Sequence, residues 1–213
     1  TTGDQIIRDV FYDGNPQAEP GAITTRIAPS FLRFGHYEIL GAQEEFELLN
    51  KLVFKSISDF FPEVQTSSSD ETLHRWFNQV AVRTAELMVE WQRVGFVHGV
   101  MNTDNLSILG ITLDYGPYGW LDVYDPNWTP NTTDFTHRRY RFSNQPSIAL
   151  WNLSRFASAL LPLFSDKKMA IKNLESSLDS YRDFFKKKYS LIFFSIFITL
   201  FFDYDVIFIL IKY

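Results

Sequence analysis

Two carboxylates and a carboxamide, Asp104, Asn105 and Asp114, fall within eleven residues of one polar stretch, HGVMNTDNLSILGITLDYG, His98–Gly116. Hard oxygen donors of this kind suit Mg²⁺, which takes carboxylate, carbonyl, water and phosphate oxygens. A carboxylate beside such a metal can also accept the proton of an attacking hydroxyl. A metal clamp on phosphates plus a base are the parts that ATP chemistry needs. HGVMNTDN can be laid on the kinase loop pattern H-R-D-L-x-x-x-N, with His98 first and Asn105 last; Val100 then stands where the catalytic aspartate is usual. The bland alternative is that Asn102, Asp104 and Asn105 are turn formers whose side chains bond nearby backbone. A glycosidase-type pair among Asp104, Asp114, Asp122 and Asp125 is a more distant reading, and it depends on a separation that sequence does not give.

Composition limits the chemistry. The chain has 213 residues, 46% of them apolar, which is enough for one sizeable core. With 20 basic and 25 acidic residues the net charge is −5, so no broad electrostatic footprint for nucleic acid is present. There is no cysteine, which excludes disulfides, thiolate metal sites and a cysteine nucleophile. The four histidines, His36, His74, His98 and His137, are scattered without metal-ligand spacing. The opening TTGDQIIRDVFYDGNP has neither the basic start nor the apolar stretch of a signal peptide.

The elements that must position the loop follow from periodicity. Residues 1–43 read as short strands and turns, with YDGNP and EPGA as turn clusters and the run from Ala22 to Leu40 as irregular strand or loop. From Glu44 the period becomes helical: Phe46, Leu49, Val53, Ile57 and Phe60 share one face, and Pro62 ends it. Ser68 and Glu71 have capping-box spacing before a long apolar stripe, Leu73, Trp76, Phe77, Val80, Thr84, Leu87, Met88 and Trp91. Gly95 falls where a left-handed C-cap belongs. Two short strands, Ser107–Leu109 and Ile111–Leu113, should follow the loop, then an irregular Gly/Pro-rich segment to about Gln145. Pro146 suits a helix first turn. Ile148, Trp151, Phe156 and Leu160 continue that helix. A last amphipathic helix is expected over Lys168–Lys187, with Ile171, Leu174, Leu178, Tyr181 and Phe184 or Phe185 inward.

Beyond Lys187 the composition changes to Phe, Ile, Leu, Tyr and Lys. Leu191–Phe202 is shorter than the roughly 20 apolar residues of a membrane span. Joined to the following apolar run, it would carry Asp203 and Asp205 near its middle. The 187–213 tail therefore reads as a hydrophobic extension outside the domain, rather than as a membrane-associating tail or a core helix.

Four stretches taken together, TRIAPSFLRFGHYE, HGVMNTDN, DYGPYGWLDVYDP and QPSIALWNLSRFASAL, resemble selenoprotein O, the family of pseudokinase-like protein adenylyltransferases. The similarity covers residue 1 to about 186, in order and at compatible spacing. It implies an α+β, protein-kinase-like fold, present mainly as the helical C-lobe. Residues 1–43 would be the end of the N-lobe with a phosphate-contacting segment, and 44–186 the C-lobe with the catalytic loop and hairpin at 98–116. It implies transfer of AMP from ATP to Ser, Thr or Tyr hydroxyls of proteins, with Mg²⁺. Residue by residue, Asp104 matches the base, Asn105 and Asp114 the metal ligands, and Arg26 and Arg33, with Asp114, the ATP contacts. Arginine suits phosphate because its planar fork stays charged and offers paired donors. Without the resemblance, Arg26 and Arg33 read as surface salt-bridge residues.

The family's glycine-containing nucleotide loop, its Lys–Glu pair and its C-terminal redox residue have no counterpart here. The expectation is therefore an apparent fragment with weak or no transfer. The alternative is a non-catalytic kinase-like module that binds nucleotide or a partner. Expected partners are ATP and hydroxyl-bearing proteins, with no nucleic acid and no membrane. The expected location is the mitochondrion if the source is eukaryotic, and otherwise the cytoplasm. Trp120, Tyr124 and Trp128 read as packing under the Gly/Pro-rich loop, and the sequons at Asn105, Asn127, Asn131 and Asn152 as chance. HRRYR, His137–Arg141, reads as a solvated loop, with docking of an acidic protein substrate as its functional alternative.

Overall fold

The structure, a computed structural model, describes residues 3–9 and 14–201, with backbone alone at 193 and 195–201. It is α+β and mostly helical. A small antiparallel hairpin, β1 (Gln5–Arg8) with β2 (Gln17–Pro20), pairs Gln5 with Pro20 and stands largely exposed. An extended stretch then leads to α1 (Phe34–Ala42) and α2 (Phe46–Phe60). The long α3 (Ser69–Arg93) follows, then β3 (Phe96–Val97) and β4 (Gly119–Trp120), which pair antiparallel. The chain closes with α4 (Gln145–Leu160) and α5 (Lys167–Phe201).

The core is one aromatic-rich cluster. Phe34 and Tyr37 from α1, Trp76 and Phe77 from α3, and Phe156 from α4 are all fully buried. The Phe34 and Phe156 rings stack at 4.8 Å, and Trp76 meets Phe156 edge-on at 5.5 Å. Such pairs contribute about 0.5–1.5 kcal/mol each beyond simple area burial. Leu49, Val53 and Ile57 bring α2 into the same cluster. The hydroxyl of buried Tyr37 is satisfied by Ser56 Oγ at 2.7 Å.

Several local expectations hold. Ser68 Oγ accepts from the Glu71 amide, capping α3, and Gly95 has φ +69° just past its end. Pro146 lies in the first turn of α4. Four expectations need correction. The stretch read as irregular strand contains α1, whose entry is fixed when the Arg33 amide donates to His36 Nδ1 at 3.1 Å. The expected hairpin at 107–113 is reduced to a single bridge, Leu106 to Thr112, because Gly110 turns the chain with φ +67°. Phe46, Trp151 and Ile171 face solvent rather than the core; Ala170, Leu174, Ser177 and Tyr181 form the inner line of α5. Trp120 and Tyr124 are exposed as well, not packed under a loop.

Helix α5 does not stop at Lys187 but runs on to Phe201, packing along α3. Phe185 stacks on Tyr189 at 5.4 Å, while Leu191 and Phe194 are exposed. Among the described residues no helix is long and apolar enough to cross a membrane. The rest of the 187–213 tail, from 202 onward, lies outside the described residues.

Candidate functional site

The polar loop is reached from β3 and enclosed by buried amides. His98 is fully buried between β3 and the segment that carries Asp114. Its Nε2 lies 2.9 Å from the Leu113 carbonyl, and its Nδ1 lies 3.4 Å from the Val100 amide. A carbonyl can only accept, so Nε2 carries the proton and Nδ1 receives the amide. Burial pushes His98 below the usual histidine range, opposed by its carbonyl contact and by Asp114, so the ring is held neutral.

Three carboxamides complete the enclosure. Gln145 accepts from the His98 amide at 3.0 Å and donates to the Phe96 carbonyl at 2.9 Å. Asn131 Nδ2 donates to the Gly99 carbonyl at 2.9 Å, and Asn152 Nδ2 to the Met101 carbonyl at 2.7 Å. Asn105 Nδ2 closes the turn on the Val100 carbonyl at 3.0 Å. Buried backbone groups must be paired, and here side chains do what a longer strand would otherwise do. Gly99 is required: its φ is +82°, and a Cβ there would stand 2.2 Å from the Pro117 carbonyl oxygen.

The charged groups converge at the mouth of this loop. The segment before α1 pairs with the segment after the loop: Arg33 bridges Ser107, the Phe34 amide donates to the Leu106 carbonyl at 3.0 Å, and the Ile108 amide donates to Leu32. The Leu106–Thr112 bridge then returns the chain to Asp114. Arg33 consequently meets Asp114 in a fork, with Nε on Oδ2 and a terminal nitrogen on Oδ1 at 2.7 Å. The two side chains are 22% and 29% exposed. The hydrogen bond to Asp114 raises the Arg33 pKa above its ordinary value; partial burial opposes this, and the charges of Asp114 and Asp104 add to it. Both carboxylates therefore act on one guanidinium. Asp114 adopts φ +56°, a left-handed backbone rarely taken outside glycine and common at functional positions.

Asp104 is exposed in a 3₁₀ turn, Thr103–Asn105. The first turn of α1 backs it closely, since a Cβ on Gly35 would lie 3.0 Å from the Asp104 Cα. Glu38 of α1 accepts from Thr103 Oγ1 at 2.6 Å and pairs with Arg155 of α4 at 2.8 Å, tying the turn to both helices. Arg26 is exposed, with its guanidinium 4.5 Å from the Tyr115 ring centre, next to Asp114. Asp122 and Asp125 are exposed, and Asp125 accepts from the Asn127 amide as a turn residue.

Asp104, Asn105, Asp114, Arg26 and Arg33 are thus gathered on one loop and its flanks. Among the described residues no three His, Cys, Asp or Glu side chains converge as a metal cage. Asp114 and Asn105 supply oxygen donors of the type Mg²⁺ takes, but the Asp114 carboxylate is held by Arg33. Sequence reading missed Gln145, Asn131, Asn152 and Glu38. The available signal was in α4, where Gln145 and Asn152 lie two turns apart on the same stripe as buried Ala149 and Phe156. A polar residue on such a stripe needs a partner, and the loop backbone is that partner.

This geometry defines a class: a mostly helical α+β domain in which a backbone-clamped loop presents carboxylates to arginine. The chain belongs to the family described as protein adenylyltransferase SelO, whose model matches residues 1–196. It is 54% identical over 187 residues to a protein nucleotidyltransferase YdiU of Azoarcus sp. (strain BH72), covering 88% of this chain and 35% of that protein. Over 182 residues it is 55% identical to the protein of the same name from Xanthomonas campestris pv. campestris (strain B100), covering 85% and 34%. The counterpart from Xanthomonas axonopodis pv. citri (strain 306) is 56% identical over 183 residues, with the same coverage. The chain spans about a third of the length of these curated relatives. All three are bacterial, so they give no support to a mitochondrial location.

Proposed function

We propose that this protein serves transfer of AMP from ATP to Ser, Thr or Tyr hydroxyls of other proteins. One observation carries the reading: in a SelO-family chain, a single guanidinium, Arg33, hydrogen-bonds Asp114 and feels Asp104 on the clamped loop. In the reaction, the acceptor oxygen bonds to the α-phosphorus, the bond from that phosphorus to the bridging oxygen breaks, and pyrophosphate leaves. Asp104, exposed at the loop tip, takes the hydroxyl proton. Arg33 and Arg26 hold phosphate oxygens. Asn105 and Asp114 would hold Mg²⁺, which would neutralise phosphate charge. Arg33 would then leave the Asp114 carboxylate for a phosphate oxygen, freeing Asp114 as an oxygen donor.

On this reading residues 1–43 are the end of an N-lobe and 44–186 form a kinase-like C-lobe, whose last helix continues past 187. Location in the mitochondrion of a eukaryote, or the cytoplasm of a bacterium, rests on the resemblance alone. The test uses ATP labelled at the α- or the γ-phosphate with a protein acceptor. It is run on this chain and on a chimera in which the chain replaces the matching stretch of the Azoarcus relative. With the chimera, label from the α-position should enter the acceptor, and this chain should transfer little beside it; entry from the γ-position alone would replace this reading with ordinary kinase chemistry. A second reading, a nucleotide- or partner-binding module without turnover, is favoured by the closed Arg33–Asp114 pair. It predicts ATP binding with no label entering the acceptor from either position.

A further inference from the structure

The segment His137–Arg141 lies beside the loop and takes no part in the chemistry above. It is a built surface. The Asp134 carboxylate accepts the Arg139 amide at 2.9 Å and the Tyr140 amide at 2.7 Å. Asn144 Nδ2 donates to the Arg139 carbonyl at 2.6 Å, and Arg141 donates to the Arg138 carbonyl at 3.1 Å. The backbone is thereby held even at Arg138, whose φ is +47°. What this frame displays is cationic and aromatic. The Arg138 guanidinium lies 4.8 Å from the centre of the exposed Phe135 ring. Arg139 lies 4.7 Å from Trp151, which is 46% exposed on α4, and 5.7 Å from Tyr140.

The nearby acids are already engaged: Asp134 by backbone amides, and Glu38 by Arg155 and Thr103. Among the described residues, no carboxylate forms an ion pair with Arg138, Arg139 or Arg141. Arg138 places one terminal nitrogen on the Asn127 carbonyl at 3.4 Å; a guanidinium laid on an aromatic face keeps its remaining edge donors for a partner and is pre-organised for carboxylate. The surface also touches the loop directly, because the Tyr140 hydroxyl donates to Asn102 Oδ1 at 2.6 Å. Asn102 is two residues from Asp104, so their Cα atoms lie within about 8 Å of each other.

We propose that Arg138 and Arg139, mounted on Phe135, Tyr140 and Trp151, form a docking surface for an acidic segment of the protein substrate that flanks its acceptor hydroxyl. An extended chain advances about 3.3–3.6 Å per residue, which places the acidic residues roughly two to six positions from that hydroxyl. The net charge of −5 disfavours a long polyanion such as a nucleic acid more than a short acidic segment that meets only these arginines. The proposal rests on the transfer reading for the identity of the partner, but the surface can be tested without nucleotide.

The experiment measures fluorescence anisotropy of the full 213-residue chain with a labelled peptide carrying one serine followed by glutamates. A peptide with glutamine in place of each glutamate serves as the control. The glutamate peptide should bind more tightly, and binding should weaken as salt is raised. The double variant Arg138→Glu with Arg139→Glu should lose at least about tenfold in affinity. The milder Arg138→Gln with Arg139→Gln should lose less, in the same direction, with unchanged melting. The exposed pair Lys167→Glu with Lys168→Glu, at the start of α5, should leave binding unchanged. Equal loss at the lysines, equal binding of both peptides, or preferential binding of a single-stranded oligonucleotide would each overturn the docking surface. Absence of AMP transfer by the chimera alongside intact peptide selectivity would instead sink the transfer reading and leave the surface for acidic segments standing.

Discussion

The loop backbone from Phe96 to Met101 and the charged side chains at its mouth are stabilised in opposite ways. The backbone is held by His98, Gln145, Asn131 and Asn152, all buried and each committed to a main-chain group. The charged pair Arg33–Asp114 is partly exposed, its members bonded to each other. Removing a clamp strands a buried donor or acceptor, whereas parting the pair exposes two ions that water or a ligand can solvate. The difference teaches that this site fixes where groups stand while leaving their charges exchangeable. Preorganised donors are worth most when their positions need no rearrangement during reaction.

The largest expected effect is on turnover. In the chimera, Asp104→Ala should lower AMP transfer by about 10²–10⁴-fold with a smaller change in ATP affinity, since a base acts mainly in the transition state. Asp114→Ala should abolish Mg²⁺-dependent transfer. Full activity in the Asp104 variant would remove its assigned role without touching the family.

Next comes the contrast in stability. Gln145→Leu strands the His98 amide and the Phe96 carbonyl, at a cost of about 1–3 kcal/mol for each buried group. Arg33→Ala should cost about 1 kcal/mol or less. Urea melts of the two variants compare the regions directly, and equal losses would mean that the pair is structural rather than exchangeable.

A third expectation concerns pH. An unfolded histidine takes up a proton near pH 6.5, whereas burial makes His98 do so only at lower pH in the folded chain. Above that range both forms are neutral and the group adds no pH dependence. As pH falls through about 6.5 the unfolded chain binds the proton first, so stability should drop. His98→Gln should flatten that acid-side fall in melting temperature; an unchanged slope would place the sensitivity elsewhere. A smaller effect is expected at Gly35→Ala. The new methyl presses on the Asp104 backbone, so transfer by the chimera should fall while the melting free energy moves by less than about 1 kcal/mol.

Much of this arrangement was readable in the sequence, because Leu49, Val53, Ile57, Leu73, Trp76 and Phe77 carry a helical period and Ser68 and Gly95 mark helix ends. Asp104, Asn105 and Asp114 could be singled out as hard oxygen donors within eleven residues, whereas Arg26 and Arg33 gained a role only through the family resemblance. Helix α1 escaped because Pro29, Gly35 and the aromatic residues around it argue locally for an extended chain, while Phe34 and Tyr37 are fixed by tertiary packing on Phe156. The 107–113 hairpin was overestimated because Gly110 turns the chain with φ +67° and leaves one bridge, Leu106 to Thr112, in place of a ladder. The clamps were hidden because an amide in sequence does not show which distant carbonyl it meets; Gln145 and Phe96 are 49 residues apart. The Arg33–Asp114 fork spans 81 residues and was equally beyond local reading.

The central claim is that Arg33 and Asp114 hold one another until phosphate and metal take their places. Calorimetric titration of the chimera with ATP, with and without Mg²⁺, tests it most directly in the Asp114→Asn variant. Freed from its carboxylate, Arg33 should bind phosphate without waiting for the cation. Metal-free ATP should therefore bind about tenfold more tightly than to wild type, a difference of about 1.4 kcal/mol, and Mg²⁺ should add little. Equal metal-free affinity in the two proteins, with the Mg²⁺ dependence intact in the variant, would contradict the exchange.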